Sequence, residues 1–162
     1  MIFAARKLWR LSWPDRMLIL EATVYLAVAG LVIGFLRFQH VAALAARPIR
    51  RLRLSPQECL REVRRIRWAI LAVAGQVPWQ ALCFQQSLAA QLMLNRRGIH
   101  SVLYYGAAQD DCTGLFTHTW VRYGDEDVVG GEIANTFAVL AAFSSQNCET
   151  RESVGELGAL LF

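Results

Sequence analysis

The feature that most constrains the fold is a run of 19 residues, 18–36, in which Glu21 is the only charged residue. Such a segment has to be buried in a protein core or to contact lipid, because its contact with water is unfavourable. Ser12, Pro14 and Asp15 precede it and supply an N-cap, an early proline and an acid in the first turn. The run therefore predicts one long helix that begins near residue 13.

Two environments are open to this helix. Its length is enough for a membrane span, Arg16 and Arg37 flank it, and Gly30 and Gly34 have the spacing of close helix packing in membranes. The carboxylate of Glu21 would be costly inside a bilayer. We therefore expect a buried helix of a soluble protein and keep a membrane or lipid-surface helix as the less favoured alternative.

Charge is unevenly distributed along the chain. Residues 1–75 contain 13 Arg and Lys against 4 Asp and Glu, whereas residues 76–162 contain 4 against 9. The favoured interpretation of the basic half is a solvated helix face and a basic linker. The alternatives are contact with an acidic partner, an acidic peptide or anionic lipid. Nucleic acid is not expected, because the arginines are not part of a recognised binding motif.

The cysteines and the N-terminus indicate the compartment. Cys59, Cys83, Cys112 and Cys148 are widely spaced without a CxxC pair, which argues against a zinc or redox motif. The sequence has no secretory signal with a cleavage site, so we expect a cytoplasmic protein without disulfides.

Start and stop signals divide the rest of the chain into elements. Ser55, Pro56 and Glu58 form a capping-box sequence, and Gly75 is placed to end that helix. A second helix begins at Cys83 and ends before Gly98. Strands are expected at residues 99–106, 117–123 and 128–132. Residues 136–143 are expected to form a further strand, or a strand and a short helix. Residues 41–53 read as a basic connection of short helix and loop, and residues 109–115 as a polar loop.

These elements predict an α+β fold in which N-terminal helices pack against a small antiparallel sheet. We expect one compact domain, divided into an N-terminal helical region at residues 1–75, a catalytic core at residues 76–143 and a C-terminal tail at residues 144–162.

Cys83 is the first candidate for chemistry, because it lies at the start of a helix. The N–H groups of a first helical turn have no intrahelical acceptors, and the helix dipole favours negative charge there, so a thiol ionises more readily. The alternative is a packed structural cysteine, since free cysteine is often buried.

His118 is the second candidate, because histidine is the usual base for a cysteine nucleophile. Pairing Tyr123 with Asp127 or Val128 in a tight hairpin would set Glu132 or Ile133 opposite His118. Glu132 is therefore expected to orient the imidazole. Asp127 lies nearer the turn, and it is the alternative if the register differs.

A helix-starting Cys followed by a strand with His-x-Trp-Val and an acidic residue resembles the transglutaminase-like, papain-related superfamily. Within it, the segments VPWQALCFQQSLAAQLMLNRRGIHSVLYYGAA, HTWV and VVGGE closely resemble leader peptidases of lasso-peptide biosynthesis. That family usually has Asp near the end of the return strand, where this chain has Gly130 and Gly131 before Glu132.

The resemblance implies a cysteine peptidase that removes a leader from a lasso-peptide precursor, with Cys83 as nucleophile, His118 as base and Glu132 as the acid. Gln76 and Gln80 are candidates for an oxyanion donor beside the Cys83 N–H. Neither metal nor organic cofactor is implied. The implied partners are the precursor, a separate leader-recognition protein and an ATP-dependent macrocyclase.

Two other functions stay open. The chain could be a non-enzymatic, membrane-associated adaptor in which Cys83 is merely packed. It could also transfer the acyl group to an amine, as transglutaminases do, with the same fold and nucleophile.

Overall fold

The computed structural model describes residues 11–35, 38–46, 54–110 and 114–144. Four α-helices occupy this part of the chain: α1 (Trp13–Phe35), α2 (Phe38–Ala45), α3 (Pro56–Ala74) and α4 (Cys83–Arg96). Four strands follow: β1 (Val102–Asp110), β2 (Gly114–Tyr123), β3 (Glu126–Val129) and β4 (Ala138–Ser144), with a 3-10 helix, Gly131–Thr136, between β3 and β4.

The helix starts lie where their capping residues predict. The Asp15 N–H donates to the Ser12 hydroxyl at 3.4 Å, and that hydroxyl donates in turn to the Asp15 carboxylate at 2.5 Å. At α3 the Glu58 N–H donates to the Ser55 hydroxyl at 3.3 Å, and the Ser55 N–H donates to the Glu58 carboxylate at 2.8 Å. The predicted capping box is therefore confirmed.

The four strands form one antiparallel sheet in the order β3-β2-β1-β4. The predicted α+β class is confirmed by this sheet and the helices that cover one of its faces. Strand β4 also confirms the strand predicted within residues 136–143.

The predicted hairpin register is wrong. Tyr123 pairs with Glu126 rather than with Asp127 or Val128, because the connection is a two-residue turn in which Gly124 has φ +56°. The return strand ends at Val129 instead of continuing to Glu132, and residues 131–136 form the 3-10 helix. A left-handed Gly130, with φ +74°, stops the pairing.

The loop predicted at residues 109–115 is shorter than expected. Strand β1 extends to Asp110 and β2 begins at Gly114, so Gln109 pairs with Leu115. Cys112, Cys148, the predicted tail and most of the basic connection before residue 54 lie outside the described residues.

Helix α4 is the centre of the fold. It packs against α1, α3 and the sheet, and Gln91 in its middle is fully buried. The Gln91 amide donates to the carbonyls of Ala45 and Ser101, each at 3.2 Å, and accepts from the Ser101 hydroxyl at 2.8 Å. These bonds fix α4 against α2 and the start of β1, because a buried amide is costly unless it is paired.

The hydrophobic core lies between the helices and one face of the sheet. It includes Leu26 of α1, Ile66 of α3, Leu88 of α4 and Val121 of β2, none of which is exposed. A smaller cluster covers the opposite face of the sheet around Trp120, Ala134 and Phe137.

Helix α1 has one side buried in the core and one apolar side that is exposed. Leu18, Ala22, Leu26 and Ala29 are buried against the core. The helix is nevertheless long and apolar enough to cross a membrane, and only 22% of its most apolar window is buried. One face therefore meets the expectation of a core helix, while the other contacts solvent.

Candidate active site

Cys83 is the first residue of α4 and is a partly exposed free thiol. The N-cap, Leu82, provides no side-chain hydrogen bond to the first turn, and its own side chain is 58% exposed. The first-turn N–H groups are therefore not capped by the N-cap side chain and can favour a negative charge on sulfur or on a bound carbonyl oxygen. Cys83 is thus neither fully buried nor fully exposed.

Ser87 holds this end of α4 against β2. Its hydroxyl is buried and donates to the Thr119 carbonyl at 3.1 Å. Ser87 lies one helical turn after Cys83 on the same side of the helix, and Thr119 directly follows His118. The bond therefore joins α4, one turn after Cys83, to the β2 backbone next to His118.

The early end of β3 leaves room for this contact. Strand β3 pairs with β2 only as far as the Val121–Val129 pair. Beyond that pair, the Thr119 carbonyl on the β2 edge accepts from a helix rather than from a neighbouring strand. The shortened strand thus places the start of α4 at the edge of β2.

The imidazole of His118 is held between aromatic rings and a backbone carbonyl. Its centroid lies 5.0 Å from that of Phe137 and 6.1 Å from that of Trp120, and its plane is within 18° of the indole. Its Nε2 lies 2.7 Å from the Gly130 carbonyl oxygen. Within the described residues this is the ring's only hydrogen bond.

The carbonyl partner determines which nitrogen of His118 is basic. A carbonyl oxygen only accepts hydrogen bonds, so Nε2 carries the proton and Nδ1 is the free nitrogen of the neutral ring. The arrangement is that of a base whose second nitrogen is held by an orienting group.

Gly130 can take this position only because it has no side chain. Its φ of +74° is left-handed, and an added Cβ would lie 2.5 Å from the Thr119 carbonyl oxygen and 3.3 Å from His118 Nε2. Sequence reasoning placed no function on Gly130, because the group involved is a backbone atom. The available signal was the glycine pair standing where the resembling family has Asp.

The two acidic candidates lie in other contacts. Glu132 pairs with Arg67 of α3 at 2.9 Å, and Asp127 pairs with Arg122 at 2.5 Å. Arg67 also donates to the Asp127 carbonyl at 2.6 Å, so it fixes the segment on both sides of Gly130. The structure therefore does not bring Glu132 into hydrogen-bond contact with His118, and its orienting role stays a prediction.

The two oxyanion candidates, Gln76 and Gln80, lie exposed in the loop between α3 and α4. Neither side chain makes a hydrogen bond to the described residues. Both remain predicted donors, alongside the Cys83 N–H at the helix start.

Several buried polar atoms without a hydrogen-bond partner belong to residues near the two candidates in sequence. Among the described residues, four buried side-chain atoms lack a hydrogen-bond partner, and three of them belong to Trp79, Gln85 and Thr119. Trp79 and Gln85 lie within four residues of Cys83, and Thr119 is adjacent to His118. Buried polar groups are normally paired, so these atoms are exceptions among the described residues.

A family model described as the transglutaminase-like superfamily matches residues 25–142. This range contains most of the chain, including α4, the whole sheet and the pair Cys83 and His118. No curated protein and no solved structure shows significant similarity to the chain.

Proposed function

Because this chain belongs to the transglutaminase-like superfamily, which includes cysteine peptidases and acyltransferases, we propose that it is a cysteine peptidase. We propose further that its substrate is a ribosomally made lasso-peptide precursor and that it removes the leader. Cys83 is the nucleophile in this proposal and His118 the base.

The observation that carries the proposal is the hydrogen bond from Ser87 to the Thr119 carbonyl, at 3.1 Å. It joins the helix that begins at Cys83 to the strand residue beside an oriented imidazole. Partial exposure alone does not distinguish a nucleophile, since Cys59 is also partly exposed. An acyl-transfer nucleophile needs a base near it as well, and this bond supports such an arrangement.

The reaction follows from the roles of the two side chains. The Cys83 thiolate attacks the scissile carbonyl, and the developing oxyanion accepts from the Cys83 N–H and a side-chain amide of Gln76 or Gln80. The C–N bond breaks as imidazolium donates its proton to the leaving amine. Water then attacks the thioester, His118 takes the proton, and a carboxylate and the free thiol are released.

The hydrogen bond of His118 to Gly130 supports a catalytic pair with a neutral orienting group. The carbonyl holds Nε2–H. In the proposed reaction, Nδ1 is the nitrogen that exchanges a proton with the thiol. Glu132, as predicted from the sequence, would supply a carboxylate orienter instead. Replacement of Glu132 distinguishes orientation by the carbonyl from orientation by the carboxylate. The Gly130 carbonyl is still present when the acid is removed, so activity is lost only if Glu132 orients the ring.

The surroundings of the site suit a peptide better than a small polar molecule. Large apolar side chains stand exposed on the elements that carry it: Leu82 before α4, Phe116 on β2 and Ile133 in the 3-10 helix, exposed by 58%, 41% and 51%. Exposed apolar groups of this kind are typical of recognition surfaces.

The proposal includes partners that a compact catalytic chain would need. A separate protein recognises the leader, and an ATP-dependent macrocyclase uses the amine that cleavage frees. We place the reaction in the cytoplasm, where a thiol nucleophile stays reduced.

Transfer of the acyl group to an amine is the alternative that uses the same site. Digestion of a candidate precursor in H₂¹⁸O, with the recognition protein present, distinguishes the two reactions. Hydrolysis places ¹⁸O in the new carboxylate of the leader fragment, and this is the expected result. A crosslinked product without ¹⁸O would show transfer instead and would overturn the peptidase proposal.

A further inference from the structure

The solvent-facing side of α1 carries a continuous apolar surface, which we call the outer stripe. Its members recur every three or four residues along the helix and are between 39% and 84% exposed: Trp13, Met17, Leu20, Val24, Val28, Leu31 and Phe35. The spacing puts all of them on one side of the helix. Single exposed apolar residues are ordinary on a protein surface, but a stripe that runs the length of a long helix marks an interaction surface.

We propose that the outer stripe lies on an anionic membrane surface, with α1 parallel to the plane of the bilayer. The stripe consists of hydrocarbon side chains and a thioether, apart from the indole of Trp13 at its end. The charged residues of α1 all lie in its first nine positions, and the helix has none from Ala22 to Phe35. A surface whose only hydrogen-bonding group is one indole at its end suits lipid, whereas recognition surfaces for proteins contain polar groups that fix orientation.

Helix α1 cannot leave the domain to cross the bilayer. Leu18 and Leu26 on its inner side are buried in the core, with exposures of 4% and 0%. Glu21 is held by Arg97 at 2.7 Å and by Arg96 at 3.1 Å at the end of α4. Insertion of α1 as a span would expose that core and break these pairs, so only the in-plane orientation keeps the fold.

The net charge of residues 1–75 in the sequence favours anionic lipid. Residues 1–75 have an excess of nine cations, as 13 Arg and Lys face 4 acids. All four acids are already engaged: Asp15 with Arg65, Glu21 with Arg96 and Arg97, Glu58 in the α3 capping box, and Glu62 with Arg65 and Arg97. Each acid of this half thus has a partner, and the excess of cations in residues 1–75 is attracted to a negative surface.

Vesicle flotation tests the proposal with the full chain. The probes are vesicles of phosphatidylglycerol and phosphatidylcholine in equal parts, and vesicles of phosphatidylcholine alone. We expect the chain to float with the anionic vesicles and to be released by salt. The double variant Val24→Glu/Leu31→Glu should reduce the bound fraction by roughly tenfold or more, because it places two carboxylates in the apolar face.

The matched control is Leu140→Glu, at a 62% exposed position on β4 outside the stripe. It should bind vesicles as the unmodified chain does, and circular dichroism checks that all variants are folded. Absence of flotation, or an equal loss in Leu140→Glu, would overturn the proposal. A third result would also overturn it: light scattering shows a dimer of the unmodified chain, Val24→Glu/Leu31→Glu is monomeric, and the unmodified chain does not bind vesicles. A second copy of the chain would then cover the stripe.

Discussion

The Nε2 of His118 lies 2.7 Å from the carbonyl oxygen of Gly130, so a backbone group holds the imidazole where an acidic side chain was expected. The consequence is a defined tautomer with Nδ1 free, since the carbonyl can only accept. The bond depends on the left-handed conformation of Gly130, which turns the chain away from β2 after β3 ends.

Replacement of Gly130 by alanine should impair activity more than folding. The new Cβ would meet the Thr119 carbonyl at 2.5 Å, and alanine disfavours φ +74° by about 1–2 kcal/mol. The carbonyl that holds His118 must then move. We expect kcat to fall by roughly tenfold or more, a loss of orientation rather than of the base itself.

Gly75→Ala is the matched control, because an added Cβ there has nothing within 4 Å and its φ is −83°. Steady-state kinetics and thermal unfolding of both variants provide the comparison. Equal activity of Gly130→Ala and Gly75→Ala would show that the carbonyl does not position the ring.

Loss of the Ser87 hydroxyl should weaken both the fold and the site. Ser87→Ala leaves the Thr119 carbonyl without its buried donor, which costs about 1–3 kcal/mol. The start of α4 also loses its attachment to β2, so kcat should fall. Urea unfolding and kinetics measure the two effects.

Thr23→Ala is the control for Ser87→Ala. It removes a hydroxyl that donates within α1 to the Ile19 carbonyl at 2.9 Å, a local bond between neighbouring turns. If the two variants lost the same stability and retained the same kcat, the attachment of α4 to β2 would have no special importance.

Glu132→Gln should have little effect on catalysis, because the carboxylate pairs with Arg67 at 2.9 Å and is 58% exposed. An exposed ion pair contributes about 0–1 kcal/mol to stability. We expect the pH dependence of kcat to be unchanged and the unfolding midpoint to shift slightly. A loss approaching that of His118→Ala would instead establish Glu132 as the orienting acid.

Acid should destabilise the packing of α1 against α4 through Glu21. Burial by itself raises the pKa of the Glu21 carboxyl, but hydrogen bonds and charge from Arg97, with the charge of Arg96, hold that pKa below its usual 4.5. The folded pKa is therefore below the unfolded one, so the contribution to stability is full above pH 4.5 and is lost as the pH falls through the folded pKa.

Urea unfolding between pH 7 and pH 3 measures this contribution by comparison with Glu21→Gln. The unmodified chain should be the more stable at neutral pH, and the difference should shrink in acid. Glu126→Gln, which affects the exposed pair with Arg64, is expected to show a much smaller difference. If the difference in unfolding free energy between the unmodified chain and Glu21→Gln stayed constant with pH, the ionised Glu21 would not be the source of the pH dependence.

Local signals in the sequence were sufficient to predict α1, α3 and α4. The caps at Ser12 and Ser55 use side chains whose partners are three residues away, so spacing alone reveals them. The end of α4 follows the same logic, since Gly98 adopts φ +66° directly after the helix.

Longer-range features could not be predicted in this way. The hairpin register depended on the length of its turn, and a shift of one residue moves every later pairing. The orienting contact of His118 uses the Gly130 backbone, which has no side-chain signature. The outer stripe of α1 was also hidden, because a helix that is apolar on all sides does not reveal which side is buried.

The most direct test of the account is the mass of the products when the chain acts on a candidate precursor with the recognition protein present. Unmodified chain and the Cys59→Ala control, which changes the other described free thiol, should release a leader fragment. Cys83→Ala should release none and His118→Ala almost none. Continued release by Cys83→Ala, or equal loss in Cys59→Ala, would contradict the claim that Cys83 is the nucleophile.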